Sequence, residues 1–212
     1  MKLELLHSLA LTAAKRAGAY VQSMVNRCED VRVKEAGDTP ASQVVTEVDL
    51  ESQRLILETL HESIEEFQLG LLTEESADDS SRFEKDCFWC IDPLDGTLPF
   101  INGSPGYSIS IALVTREGKS QIGVIHDPGT EQTFHAVSGR GAFLNDVGIH
   151  SQYDTKSERL TWLMDSSMKG SAGYSRLLAA IEDLATRENL NLNIIAHAGA
   201  ALNGSWVTQH AP

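Results

Sequence analysis

Apolar residues recur at helical spacing at the start of the chain, and this pattern predicts a helix over residues 3–27. The apolar positions of that helix are Leu5, Leu6, Leu9, Ala13, Ala17, Tyr20, Val21 and Met24. Residues 33–43 contain glycine, aspartate and proline, so we expect a loop there. A second helical pattern follows Thr46-Glu-Val-Asp49, which places Thr46 at the N-cap and Asp49 in the first turn.

The middle of the chain consists of short apolar runs separated by glycine and proline, which is typical of β-strands. The predicted strands cover residues 67–73, 87–91, 107–116, 121–126, 132–137 and 142–144. Their close spacing predicts that the later strands form an antiparallel meander. Because proline cannot donate to a strand ladder, we expect Pro93 to end the strand over residues 87–91.

The last third alternates strands and helices, an α/β pattern. We predict a strand over residues 159–164, a helix over 174–187, a strand over 191–195 and the start of a helix over 199–207. Polar residues cluster at 147–158 and suggest a boundary there. We therefore expect an N-terminal α+β domain over residues 1–150 and a partial C-terminal α/β domain over residues 151–212.

Charge and composition exclude several functions. The 212 residues include 30 acidic and 17 basic ones, for a net charge of −13, which disfavours binding to nucleic acid or to an acidic membrane. No apolar run approaches the roughly 18 residues of a membrane span. Three cysteines are an odd number for a disulfide framework, so we expect a reduced, cytoplasmic setting.

The segment Asp92-Pro-Leu-Asp-Gly-Thr97 carries the most informative chemistry. It follows an apolar strand, so two carboxylates project from one bend at a strand end. Two oxygen ligands held this closely suit Mg²⁺. Backbone N–H groups near Gly96 and Thr97 could meet phosphate oxygens if a helix starts there. In isolation the same residues are also those of an ordinary polar turn.

Other polar residues strengthen the hypothesis of a metal site. Glu74-Glu75 follows another apolar run and thus sits at a second strand end. Asp49 is either a functional acid or a first-turn acid that complements a helix dipole. The Thr97 hydroxyl either orients a water molecule or caps a helix.

Together these residues resemble the inositol monophosphatase family. The family belongs to the lithium-sensitive, Mg²⁺-dependent phosphatase superfamily, which includes fructose-1,6-bisphosphatase and the 3'(2'),5'-bisphosphate nucleotidases. The resemblance rests on the order Asp49, Glu74-Glu75, Asp92-Pro-Leu-Asp-Gly-Thr97 and on three further stretches. Those stretches are Tyr107-Ser-Ile-Ser-Ile-Ala-Leu113, Gly123-Val-Ile-His-Asp-Pro128 and Gly139-Arg-Gly-Ala-Phe-Leu-Asn145.

The resemblance implies a layered α-β-α-β-α sandwich of the α+β class and a set of site residues. The implied metal ligands are Glu74, Asp92, Asp95 and the carbonyl of Leu94. Asp49, Glu74 and Thr97 would be catalytic, and Asp95, Gly96 and Thr97 would bind substrate and its phosphate. Glu75 is the companion acid of Glu74.

The resemblance also implies an activity. We expect a hydrolase that uses two or three Mg²⁺ ions, accepts Mn²⁺, is inhibited by Li⁺ and forms a homodimer. Its substrate would be inositol monophosphate or a related sugar or polyol phosphate, with 3'(2'),5'-bisphosphate nucleotides as the alternative.

One departure leaves a further alternative open. The family has a Trp-Asp metal motif beyond the region that matches Gly199-Ala-Ala-Leu-Asn203, and this sequence lacks it. We therefore also expect an incomplete C-terminal part, and the alternative is a truncated, catalytically weak metal-binding remnant.

Overall fold

The computed structural model describes residues 2–25, 31–33, 44–150 and 157–210. The helices are α1 (Leu3–Ser23), α2 (Glu47–Glu66), α3 (Ser81–Glu84), α4 (Thr97–Ile101), α5 (Tyr174–Arg187) and α6 (Ala200–His210). The first strands are β1 (Val31–Val33), β2 (Val44–Thr46), β3 (Gly70–Thr73), β4 (Cys87–Asp95), β5 (Ser108–Thr115) and β6 (Ser120–Asp127). The later strands are β7 (Gln132–Val137), β8 (Ala142–Leu144), β9 (Val147–Ile149), β10 (Arg159–Leu163) and β11 (Asn191–Ile195).

A seven-stranded sheet with the order β3-β4-β5-β6-β7-β8-β9 forms the centre of the molecule. Strands β4 to β9 pair antiparallel in chain order, which confirms the predicted meander. Strand β3 instead runs parallel to β4, with Thr73 opposite Ile91. The carboxyl ends of β3 and β4 therefore lie side by side at one edge of the sheet.

Helices α1 and α2 pack against each other and against one face of this sheet. Alanines at positions 10, 13, 14 and 17 line the buried face of α1, and their small side chains permit a close approach to the neighbouring elements. From the sheet, Ile109, Ile111 and Leu113 of β5 are fully buried in the same core. Helix α2 thus packs against β4.

The opposite face of the sheet contacts α6, which also contacts β10 of a second, two-stranded parallel sheet, β10-β11. Helix α5 packs on β11. The layers therefore follow the order α1/α2, large sheet, α6, small sheet, α5. This order confirms the α+β class and the five-layered sandwich.

The prediction that Pro93 ends its strand was wrong. Strand β4 continues to Asp95, and its register against β5 shifts between Asp92 and Asp95. The shift is a β-bulge, where Pro93 is tolerated because no ladder hydrogen bond is required of it. The bend thus lies inside the strand.

Most other predicted elements are present, with small differences at their ends. Strand β9 was not predicted and occupies the start of the polar stretch at 147–158. Val33, the first residue of the loop predicted over 33–43, instead ends β1, and the rest of that loop lies outside the described residues. Residues 151–156 of the predicted boundary also lie outside them, so the two-domain division stays a prediction. Among the helices of the described residues, none combines the length and apolar character that a membrane span requires.

Candidate metal and phosphate site

The parallel pairing of β3 and β4 brings two predicted site residues together. Glu74 directly follows β3, and its backbone N–H donates to the carbonyl of Ile91 at 3.2 Å. Asp92 is the next residue of β4, so the two acids leave neighbouring strands at the same level. Their side chains form a hydrogen bond to each other.

Asp92 is the most perturbed acid of the site. Burial, the nearby charge of Glu74 and the charge of Asp95 raise the pKa of Asp92 to about 8. Its Oδ1 accepts a hydrogen bond from the backbone N–H of Leu94 at 3.1 Å, which opposes the rise. A buried carboxyl in this position holds its proton because like charges face it. The electrostatics therefore favour a cation between these acids.

Asp95 ends β4 and points toward the first turn of α6. The backbone N–H of Ala200 donates to Oδ1 at 3.1 Å, and that of Ala201 donates to Oδ2 at 2.9 Å. The hydroxyl of Ser108 donates to Oδ2 at 3.4 Å. Burial raises the pKa of Asp95, these donors lower it, and the charge of Asp165 raises it further.

The turn after Asp95 is formed by Gly96, whose φ of 85° suits glycine. Thr97 begins α4, and its hydroxyl donates to the carbonyl of Leu94 at 3.1 Å. This bond fixes the rotamer of Thr97 and leaves its oxygen able to accept. The same Leu94 carbonyl retains a second lone pair for another partner.

Helix α2 supplies the other wall of the site. Asp49 is 2% exposed and lies in its first turn. One turn later, the hydroxyl of Ser52 donates to the Pro93 carbonyl at 2.7 Å. The Gln53 amide bridges to the β3 side, donating to Ser76 at 2.7 Å and accepting from the Glu75 backbone N–H at 3.3 Å. Since these residues share a helix face with Asp49, that face is turned toward the strand ends.

The structure thus places Glu74 beside Asp92, and Asp95 lies near enough for its charge to raise the pKa of Asp92. Asp49 and Thr97 lie on the two helices that border the turn. Within the described ranges, no group of three or more His, Cys, Asp or Glu side chains is arranged to hold a metal ion by itself. The donor set fits Mg²⁺, which takes one or two carboxylates, carbonyls and phosphate oxygens and keeps several waters.

Three residues near the site were not singled out from the sequence. Ser52 and Gln53 follow Asp49 by three and four positions, and polar residues on a buried helix face were the available signal. Asp165 follows strand β10 closely, and its charge acts on Asp95.

Comparison with known proteins decides the family. The model of the inositol monophosphatase family matches residues 2–209. The chain belongs to this family. Its match covers every candidate site residue described above.

Curated relatives in the inositol monophosphatase family include Nus factor SuhB of Pasteurella multocida, which is 34% identical over 144 residues, or 67% of this chain and 51% of the relative. Another is the fructose-1,6-bisphosphatase/inositol-1-monophosphatase of Thermotoga maritima, 39% identical over 64% of this chain and 48% of the relative. The chain spans about half the length of the curated relatives it matches.

Solved structures of the family share the fold. The suhB protein of Bartonella henselae has a TM-score of 0.79 at 26% identity, covering 96% of this chain and 74% of that one. The IMPase of Thermotoga maritima has a TM-score of 0.75 at 28% identity, covering 96% of this chain and 72% of that one.

Proposed function

We propose that this protein is a Mg²⁺-dependent phosphomonoesterase that hydrolyses inositol monophosphate or a related sugar or polyol phosphate. The observation that carries the proposal is the hydrogen-bonded pair of Glu74 and Asp92, with Asp95 close enough to raise the pKa of Asp92 further. Membership of the inositol monophosphatase family supports the same reading.

Glu74, Asp92, Asp95 and the Leu94 carbonyl would hold the metal. Bound Mg²⁺ supplies Lewis-acid chemistry that acidifies a water molecule and offsets negative charge on the phosphate. Because burial and the charges of Glu74 and Asp95 raise the pKa of Asp92, a metal ion at this site would compete with a proton on Asp92.

Asp49 and Thr97 would orient the attacking water. The Thr97 hydroxyl hydrogen is already donated to Leu94, so its oxygen would accept a hydrogen from the water. The backbone N–H groups of Gly96 and Thr97 would bind phosphate oxygens from the turn. Positioning of this kind lowers the barrier by holding water and phosphate in reactive geometry.

The substrate class rests on two stretches outside the acidic motif. Tyr107-Ser-Ile-Ser-Ile111 and Gly139-Arg-Gly-Ala-Phe143 resemble inositol monophosphatases more than bisphosphate nucleotidases. The Thermotoga maritima relative is named for inositol 1-phosphate and fructose 1,6-bisphosphate activities. A 3'(2'),5'-bisphosphate nucleotide is the competing substrate.

We also propose that the protein acts on small molecules in the cytoplasm without engaging nucleic acid or a membrane. The net charge of −13 supports this part of the proposal. The homodimer stays a prediction, which sedimentation velocity of the purified protein tests directly.

Phosphate release tests the proposed activity. We would incubate the purified chain with inositol 1-phosphate, fructose 1,6-bisphosphate and 3'-phosphoadenosine 5'-phosphate, each with Mg²⁺, with Mg²⁺ and Li⁺, or with EDTA. We expect Mg²⁺-dependent, Li⁺-inhibited turnover that is fastest with the first, in the usual range of about 1 s⁻¹ or more. Preference for the nucleotide selects the competing substrate. If the protein binds Mg²⁺ but releases phosphate from none of the three substrates, the proposal of an enzyme is overturned and the metal-binding remnant is favoured.

A further inference from the structure

Three backbone segments meet around Asp95, and each contributes a glycine at the closest point. The segments are the turn after β4, the residue pair before β5 and the connection from β11 to α6. The backbone N–H of Gly199 donates to the Gly106 carbonyl at 2.8 Å. A Cβ on Gly96 would lie 3.1 Å from the Tyr107 Cα, and one on Gly106 would lie 2.8 Å from the Ala198 Cα.

Gly199 differs from the other two because its missing side chain faces the Asp95 carboxyl group. A Cβ on Gly199 would lie 2.5 Å from both Cγ and Oδ1 of Asp95, well inside contact distance. The three nearest atoms all belong to that carboxyl group. The absence of a Cβ at this position is what allows Asp95 to reach the backbone of α6.

The first turn of α6 fixes the Asp95 carboxylate by both oxygens. Ala200 donates to one oxygen and Ala201 to the other, so the carboxyl plane is set by the helix and not by the side chain's own torsions. The positive end of the helix dipole adds to this attraction for an ionised carboxylate. Oδ1 accepts from Ala200 and keeps a lone pair for a metal ion, whereas Oδ2 accepts from both Ala201 and Ser108.

We propose that Gly199, together with the first turn of α6, is a positioning residue that holds Asp95 oriented for metal binding. This inference rests on the proposed function, in which Asp95 is a metal ligand. The alternative is that Asp95 only caps α6 and that its contact with the helix is structural.

Gly199 permits a clean test because its φ is not positive, so alanine fits the backbone conformation. The atoms that a Cβ on Gly199 would displace belong to the Asp95 carboxyl group, which is the end of a side chain and can rotate away from α6. We therefore expect Gly199→Ala to fold and to displace the Asp95 carboxylate. Gly204→Ala is the matched control, since Gly204 also lies in α6 and a Cβ there meets nothing within 4 Å.

The first measurement uses the metal-free protein. Backbone amides that donate to a carboxylate resonate downfield, so two-dimensional ¹H–¹⁵N spectra report the contact at Ala200 and Ala201 directly. We expect both resonances to move upfield in Gly199→Ala and to stay in place in Gly204→Ala. Unmoved resonances in Gly199→Ala would overturn the contact itself.

The second measurement is calorimetric titration with Mg²⁺, followed by phosphate release over a range of Mg²⁺ concentrations. We expect Gly199→Ala to weaken Mg²⁺ binding by about tenfold, as supporting contacts of metal ligands typically do. The Mg²⁺ concentration for half-maximal activity should rise to the same extent, and activity should recover at high Mg²⁺. A folding defect would not be rescued in this way.

A second variant covers the case in which Gly199→Ala does not fold. Ala200 is the first residue of α6, a position that accepts proline well, and Ala200→Pro removes one of the two N–H donors to Asp95. We expect it to weaken Mg²⁺ binding severalfold.

Two outcomes separate this inference from the proposed function. Parent-like Mg²⁺ affinity in Gly199→Ala and Ala200→Pro, with shifted amide resonances, shows that the contact only caps the helix and overturns the inference alone. No Mg²⁺ binding by the parent overturns the proposed function and the inference with it.

Discussion

At the scale of single residues, the site places acidic side chains close to one another. Burial and the charges of Glu74 and Asp95 raise the pKa of Asp92. At pH values above the ordinary pKa of an aspartate, this raised pKa lowers the stability of the folded state. Such costs are common at functional positions, where stability is lower than the packing would allow.

Replacing Asp92 with asparagine separates the effect of its charge on stability from its proposed role in Mg²⁺ binding. The amide oxygen can still accept from Leu94, and its NH₂ group can donate to Glu74, while one of the facing charges disappears. At pH 9 in EDTA, we expect Asp92→Asn to melt at a higher temperature than the parent. In calorimetry it should bind Mg²⁺ at least about tenfold more weakly, as expected for a lost ligand.

The outcome that contradicts this reading is a lower melting temperature in EDTA together with parent-like Mg²⁺ affinity. Asp92 would then be a structural turn residue. Asp86→Asn serves as the control, since the Asp86 side chain is 97% exposed and its ion pair with Arg116 is long, at 3.7 Å.

Residue chemistry explains why part of the site was predictable. Glu74 and Asp92 each follow an apolar run that is visible in the local sequence, although β4 continues past Asp92 to Asp95. Ser52, Gln53 and Asp165 contribute through neighbours that are distant in the chain, and only the packing of α2 and β10 reveals them. The contact of Asp95 with α6 has no local signal at all.

At the scale of elements, the fit of α1 on the large sheet depends on a missing side chain. Gly18 lies on the buried face of α1, and a Cβ there would lie 2.7 Å from Nε2 of His126 and closer still to a ring carbon. The ring of His126 cannot easily move, because it is 5% exposed and its Nδ1 bonds to the Thr133 hydroxyl at 2.9 Å. Glycine is thus retained in a helix despite its low helix propensity.

We expect Gly18→Ala to destabilise the protein. Overpacking of a core typically costs about 1–3 kcal/mol, which exceeds the roughly 0.5–1 kcal/mol that alanine contributes over glycine inside a helix. In Gly204→Ala only the second effect applies, so that variant should be more stable than the parent. Urea unfolding of the parent, Gly18→Ala and Gly204→Ala measures both changes in stability. Greater stability in both variants would contradict the tight fit at α1.

Element types were predictable because apolar spacing differs between helices and strands. The limits of α5 and β11 agree with the predicted residues 174–187 and 191–195. The prediction for Pro93 was wrong because proline is tolerated in a strand at a bulge, and a bulge depends on the partner strand. The parallel pairing of β3 with β4 likewise requires knowledge of the whole sheet.

At the scale of the whole molecule, buried histidines link stability to pH. Burial lowers the pKa of His126, and partial burial with the charge of His135 lowers that of His7. His7 Nε2 and His135 Nδ1 are 3.1 Å apart and join α1 to β7. A histidine whose pKa is lowered by folding binds fewer protons in the folded than in the unfolded state, so its contribution to stability is lost as pH falls below about 6.5.

His126→Asn tests this link between pH and stability. The asparagine amide can replace Nδ1 as the partner of Thr133, but it does not titrate. Between pH 6.5 and 5, the free energy of unfolding should fall less steeply in this variant than in the parent. Asp92 contributes with the opposite sign in both proteins, so its effect cancels in the difference. Chemical denaturation at a series of pH values measures the slopes, and equal slopes would falsify the assignment to His126.

The contact between Asp95 and α6 also has a consequence for the order in which the protein is made. Asp95 and Ala201 are separated by 106 positions, so the carboxylate emerges from the ribosome long before its donors. At a synthesis rate of about 5–20 residues per second, that interval is roughly 5–20 s. During this time the meander can form around a carboxylate that is not yet held in place. The nascent chain therefore fixes the Asp95 carboxylate only when α6 docks, after the large sheet is already in place.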